Sequence, residues 1–250
     1  MKKVIYTVIT GGYDPLSQPR ALSPEWDYIC FCDSSGRDGA WQLRTIPFQD
    51  DNPVLRARYV KMHPHELLGD YDVSVFMDAN LTIESGEFYD VLEKSIEAPL
   101  ALLEHFERDC VFDEIRKCFM MEKASYRSAR KCRRSLVAAG MPIHYGLYET
   151  NVVLRRHNLP RIKDLDNLWW KMLLESEGTR DQFCLTPAMW TLGMKASLLF
   201  GKGKSTRNVP YVSYNLHPEK GRRNIPGRID MANLKYNIKL LVRKILVKRL

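Results

Sequence analysis

Two rhythms of apolar and polar positions run along the chain. Residues 3–9, 28–32, 73–77, 100–104 and 149–155 are short apolar runs rich in β-branched side chains, and they predict buried strands. Residues 53–68, 88–96, 113–139, 166–177 and 180–192 carry helical spacing, the last with Pro187 in or near its start. Residues 34–38 and 202–207 read as polar turns and loops, and residues 238–250 as a terminal helix. Short buried strands alternating with helices predict an α/β domain on a mostly parallel sheet covered by helices. No internal repeat or low-complexity stretch divides the chain. The expected organisation is one domain over residues 1–220 followed by a basic tail or helix over 221–250.

Composition narrows this picture. The chain has 250 residues, 45% of them hydrophobic, which suits one sizeable α/β domain. The apolar start ends at Thr10-Gly11-Gly12, too early for a signal peptide, and no apolar run reaches about 18 residues. A cytoplasmic protein is therefore expected. The six cysteines form no CxxC pair and no Cys/His group with zinc spacing, so they read as idle thiols in a reducing compartment.

The formal net charge of +8 is unevenly placed. Residues 220–250 carry ten Lys or Arg against one Asp, which leaves the rest close to neutral, with a second basic block over 116–134. A near-neutral body without a reader motif argues against a nucleic-acid partner. Two local patches suit an anionic ligand or anionic lipid headgroups. In the tail, Leu234, Ile238, Leu241 and Ile245 fall on one helical stripe flanked by lysines. That is the pattern of a peripheral contact at the inner face of a membrane, or of a helix docked on the domain.

The chemistry-bearing residues cluster after predicted strands. Val75-Phe76-Met77-Asp78-Ala79-Asn80 ends a buried strand with two oxygen-bearing side chains, where open α/β sheets place ligands. Asp78 and Asn80 can share a hard divalent cation, Mn²⁺ or Mg²⁺, with a diphosphate. An ordinary Asx turn leaves the same trace. Thr10-Gly11-Gly12-Tyr13, after the first strand, lets a ligand approach the backbone, yet is neither a GxGxxG nor a P-loop. Asp33 follows the second strand and is placed to accept from a ribose hydroxyl or a base N–H. Arg58 and Lys61 share a helix face and suit a diphosphate leaving group, with Arg56 only loosely beside them. Glu149 and Asp181 are candidate general bases; a strand-edge carboxylate and a helix-start aspartate are the plain structural readings. Asn151 lies on the Glu149 side, Trp169-Trp170 suit a sugar-stacking platform, and His217 and Lys220 suit a late metal ligand and a phosphate contact.

Taken in order, the blocks at 5–14, 27–33, 56–61 with Pro64-His65, 76–80, His105 with Arg108 and Cys110, 146–149, Trp169-Trp170 and 180–182 resemble one family. It comprises the mucilage-related and TOD-type glycosyltransferases of plants and their bacterial relatives, and the resemblance covers roughly residues 3–217. It implies a GT-A-like fold, a nucleotide-sugar donor of the UDP type, and Asp78 with Asn80 at the DxD position; looser analogy with GT-A enzymes makes His217 the late metal ligand. The expected donor site is then Thr10, Gly11, Gly12, Tyr13, Asp33, Arg58, Lys61, Asp78 and Lys220. The expected acceptor side is His105, Asn151, Trp170 and Gln182, binding a glycan or lipid-linked glycan of a bacterial surface polysaccharide. The rival expectation is a non-catalytic nucleotide-sugar-binding protein, favoured by the uncharged Asn80.

Overall fold

The computed structural model describes residues 1–12, 15–177, 180–215, 231–248 and 250, with backbone alone for 231–238. In chain order the elements are β1 (Lys3–Val8), β2 (Trp26–Cys32), β3 (Gly36–Asp38), β4 (Trp41–Thr45), α1 (Pro53–Met62), α2 (Pro64–Leu67), β5 (Val73–Met77) and β6 (Leu81–Ile83). Then come α3 (Glu87–Ser95), β7 (Leu100–Glu104), α4 (Val111–Met120), α5 (Tyr126–Ala138), β8 (Tyr148–Arg155), α6 (Pro160–Glu175), α7 (Gln182–Thr191), β9 (Ser197–Leu198), β10 (Val212–Tyr214) and α8 (Met231–Val247).

The main sheet runs β3-β4-β2-β1-β5-β8-β7-β9. Strands β4, β2, β1 and β5 are mutually parallel. Strand β8 inserts antiparallel between β5 and β7, and β3 forms an antiparallel edge. The sheet is thus predominantly parallel, as the sequence pattern implies, with one internal reversal that the pattern does not reveal. Beside it, β6 and β10 form a separate two-stranded antiparallel ribbon.

Both sheet faces are covered, and alternation along the strands assigns the side chains. In β1, Val4 and Tyr6 enter the core shared with the α4–α7 helices, while Ile5 enters the core on the α3 side. A buried polar chain ties α1 to the sheet. Tyr6 OH donates to the Lys61 carbonyl at 3.0 Å, and Arg155 donates to Tyr6 OH at 2.6 Å, to Asp166 and to the same Lys61 carbonyl. Arg155 and Asp166 are both 1% exposed, so this network is an internal fixture and not a surface one.

Several element bounds differ from the pattern. The helix expected over 53–68 breaks at His63, because Pro64 supplies no N–H and pushes its predecessor out of the α region. The stretch 113–139 is two helices. Glu122 at φ 62 ends the first turn-over, and Ser125 caps the second by accepting from Ser128 N. Helix α6 starts earlier than 166, at Pro160, a favoured first-turn residue. Part of the polar turn at 34–38 pairs as β3. Helix α8 begins at Met231 and packs against α4, with Arg243 donating to the Phe119 carbonyl and Lys239 pairing with Glu122 at 2.7 Å. No helix among the described residues is long and apolar enough to cross a membrane.

Candidate functional site

Strand β5 is buried along its whole length and delivers Asp78 to its carboxyl end. The turn after it is held tightly: Asp78 N donates to Asn151 O at 2.9 Å, Leu81 N returns to Asp78 O, and Asn215 N donates to Asn80 O at 2.7 Å. The side chain of Asp78 remains 41% exposed and faces an open cleft of about 490 Å³. Asn80 lines the same cleft.

Beside Asp78, α1 presents two cations from one helix face. Lys61 Nζ lies 2.6 Å from Asp181 Oδ2 and 3.8 Å from Asp78 Oδ1, and Arg58 lies 3.4 Å from Asp181 Oδ1. Thr150 Oγ1 also donates to Asp181 at 3.0 Å. Burial works to raise the Asp181 pKa, yet Arg58, Lys61 and Arg180 outweigh it and hold the carboxyl far below the usual range. Both its oxygens are committed to cations, which makes Asp181 a poor proton acceptor. Arg56 points elsewhere, to Asp33 at 2.6 Å.

Glu149 sits on the adjoining wall. Alternation in β8 sends Thr150 toward Asp181 and places Glu149 and Asn151 together on the other face. Glu149 is 4% exposed; burial raises its pKa, opposed by Arg207 and by the Asn151 amide. The Arg207 guanidinium lies 3.9 Å from the Glu149 carboxylate and stacks over Phe106 and Tyr214. Asn151 Nδ2 reaches Tyr214 OH at 2.6 Å and Thr206 Oγ1 at 2.8 Å, while its buried Oδ1 has no hydrogen-bond partner among the described residues. The Nε atoms of Arg58 and Arg180 are likewise buried without one. Unsatisfied polar atoms grouped in one cleft are what a polar ligand would complete.

The fold thus brings Arg58, Lys61, Asp78, Asn80, Glu149, Asn151, Asp181, Gln182 and His105 into one cleft. His105 stacks on Phe106, and its Nδ1 accepts from the amides of Glu107 and Arg108. Burial lowers its pKa. Gln182 is anchored by donating to Tyr148 O at 3.1 Å. Thr10, Gly11, Gly12 and Asp33 stand apart from the cleft lining, at the carboxyl ends of β1 and β2. There Thr10 Oγ1 donates to Pro53 O at 2.9 Å, and both glycines take φ 61.

Trp170 corrects the stacking-platform expectation. It packs edge-on against Phe48, Tyr59 and His63 between α1 and α6, away from the cleft. Its neighbour Trp169 is fully buried and donates Nε1–H to Asp181 O at 2.8 Å, so the pair serves the core. Tyr13, His217 and Lys220 lie outside the described residues. Arg207, Tyr214, Thr150 and Glu114 belong to the site without having been marked by sequence. Arg207 and Tyr214 sit in or after a loop with no periodicity, and Thr150 is visible only once its strand's facing is fixed.

No protein-family model matches the sequence, and no curated protein does. Among solved structures, the chain is similar to the apo WbbM bifunctional glycosyltransferase, with 10% identity and a TM-score of 0.42 over 78% of this chain and 38% of that one. It is also similar to apo mouse xyloside xylosyltransferase 1, with 7% identity and a TM-score of 0.41 over 76% of this chain and 80% of that one. The chain therefore spans well under half of the WbbM chain. Likenesses this distant show nothing of function.

Proposed function

We propose that the chain is a GT-A-like glycosyltransferase that moves a sugar from a nucleotide donor, of the UDP type, to a hydroxyl of a glycan or lipid-linked glycan. One observation carries this reading. A strand-end Asp78–Asn80 turn and the Arg58–Lys61 cations line one open cleft side by side, Lys61 3.8 Å from Asp78, with the recessed carboxylate of Glu149 on the adjoining wall.

The donor's diphosphate would lie in the cleft against the Asp78–Asn80 turn and the adjoining α1 cations. Arg58 and Lys61 would stabilise the negative charge that grows on it as the bond to the sugar breaks. Asp181 acts as a positioning residue that holds both cations in place, which replaces the general-base role the sequence alone invites. The base is Glu149: its raised pKa favours taking a proton from an acceptor hydroxyl near neutral pH. The acceptor oxygen bonds to the sugar's anomeric carbon, the bond to the diphosphate breaks, and the hydroxyl proton passes to Glu149. Asn151, Gln182 and His105 would orient the acceptor. The β1 and β2 ends, with Gly11, Gly12 and Asp33, would receive the nucleoside.

The donor set suits a hard divalent cation: one carboxylate and one amide oxygen at a strand end, with His217 as a further candidate ligand. Asp78 and Asn80 would hold it, and when bound it would add charge neutralisation at the diphosphate. Lys61, 3.8 Å from Asp78, already supplies part of that charge.

A peripheral contact with an anionic membrane fits the outward face of α8. Leu241, Val242 and Ile245 are exposed there, on the side away from the α4 contact, with exposed Lys244 and Lys248 beside them.

The test is calorimetric titration of UDP into the protein with Mn²⁺ or Mg²⁺, then with EDTA. Metal-dependent binding lost in Asp78→Ala supports the donor site. Absence of UDP binding under both conditions removes the UDP assignment. The non-catalytic alternative rests on the uncharged Asn80, and it requires donor binding without turnover or donor hydrolysis.

A further inference from the structure

Sequence spacing offers no zinc pattern, yet the fold builds a mixed-ligand cluster at the rim of the cleft. Cys110, Asp113 and His144 each bring one ligand atom within 4.8 Å of the others. Cys110 caps α4 and Asp113 lies one turn on, so a spacing of three residues puts both on one helix face. His144 comes from the α5–β8 connection, 34 positions away from Cys110 in sequence. We propose that these three side chains bind a zinc ion that clamps two loops beside the cleft, with water completing its fourth position.

The ligand chemistry selects the ion. A thiolate, an imidazole and one carboxylate suit Zn²⁺, whereas Mg²⁺, Ca²⁺ and Mn²⁺ prefer all-oxygen sets. Asp109 adds a second layer: its Oδ1 lies 2.7 Å from His144 Nδ1. A carboxylate on one ring nitrogen fixes the tautomer and leaves Nε2 for a metal, the usual arrangement of zinc-bound histidines. Zinc bonds of about 2.3 Å to sulfur and about 2.0 Å to nitrogen and oxygen need ligand atoms closer together than the 4.8 Å bound within which these three fall. Cys110 is the fixed point at 3% exposed. His144 and Asp113, with side chains 57% and 44% exposed, can turn to close the gap. Binding displaces the Cys110 thiol proton to solvent.

The site's position gives it a role. The same loop carries His105, Phe106 and Arg108 into the cleft, and it is already stitched to the second loop by Gly146 N to Asp109 O at 2.8 Å and His105 N to Leu147 O at 2.9 Å. A metal crosslink there would rigidify one wall of the cleft without touching the Asp78 end. The inference does not rest on the glycosyltransferase reading.

The test is to strip the full-length protein with a chelator and titrate it with Zn²⁺ against a chromophoric competitor. One zinc per chain is expected, with a rise in melting temperature on binding. Cys110→Ser and His144→Ala should each weaken binding at least tenfold, Asp109→Asn should weaken it by about 10- to 100-fold, and Asp78→Ala should leave it unchanged. Cobalt should give a thiolate charge-transfer band that Cys110→Ser abolishes. His144 is exposed, so His144→Ala keeps the experiment decisive if the buried cysteine variant fails to fold. Failure to bind one zinc, or zinc binding that survives in His144→Ala, overturns the proposal. UDP titration of the same samples reports separately on the donor site.

Discussion

Lys61 Nζ and Asp181 Oδ2 meet at 2.6 Å, with side chains only 1% and 4% exposed. Such a pair is costly to desolvate, and removing one partner leaves the other charge stranded. Asp181→Asn is therefore expected to destabilise the protein by about 3–5 kcal/mol, because Lys61 and Arg58 lose their shared anion. Chemical denaturation checks this. An unchanged unfolding midpoint with lost turnover would instead return Asp181 to the role of general base.

Glu149 presents the opposite case, a carboxylate whose proposed role as base opposes stability. Burial raises its folded pKa, so the folded state binds this proton more tightly than the unfolded state. The resulting stabilisation is fully present below the unfolded pKa and is lost as pH rises through the folded pKa. At neutral pH, Glu149→Gln should thus leave the protein as stable as the parent or more so, while lowering kcat by about 10²–10⁴-fold. Melting curves and initial rates on one preparation decide it. Retained activity would remove Glu149 from the chemistry.

Arg207 tunes that carboxylate from 3.9 Å. Its cation is one of the influences that lower the Glu149 pKa. Arg207→Ala should move the acidic limb of the kcat/KM profile to higher pH, and Arg207→Lys should restore part of the shift. A profile that stays in place would show that Glu149 titrates outside the rate-limiting step.

Much of the frame was legible in the sequence because its strands are continuous apolar runs. Val73–Met77 and Leu100–Glu104 appear as the pattern predicts. The tiny strands β6, β9 and β10 are too short to carry a period, and the antiparallel setting of β8 depends on chain direction, which periodicity does not encode. The site divides the same way. Arg58 and Lys61 could be grouped from helix geometry, and Asp78 with Asn80 from the strand end. That Asp181 neutralises the α1 cations was invisible, because Lys61 and Asp181 lie 120 positions apart. Trp170 misled because an aromatic in a helix reads alike whether it lines a cleft or packs on Phe48 and Tyr59.

Asn80 marks the weak point of the proposed cation site, since an amide adds no charge. Asn80→Asp should tighten Mn²⁺ binding in the presence of UDP by roughly tenfold, or about 1.4 kcal/mol. Calorimetric titration of Mn²⁺ into each UDP-saturated protein measures it. Unaltered affinity would mean that the ion, if bound, is held without residue 80.

Helix α8 supplies the last prediction. Its contact with α4 uses Lys239 and Arg243, with Leu246 and Val247 packed on the core, so the opposite side faces solvent. That side shows Leu241, Val242 and Ile245, an expensive choice for a surface unless something covers it. The neighbouring lysines favour an anionic surface, each adding about 1 kcal/mol near acidic lipids. The full-length protein should float with vesicles containing phosphatidylserine, release with rising salt, and stay behind when Leu241→Asp and Ile245→Asp are combined. Neither change touches the α4 contact or the cleft, so UDP binding should survive in the double variant. Flotation equal to that of the parent would assign the apolar stripe to some other partner.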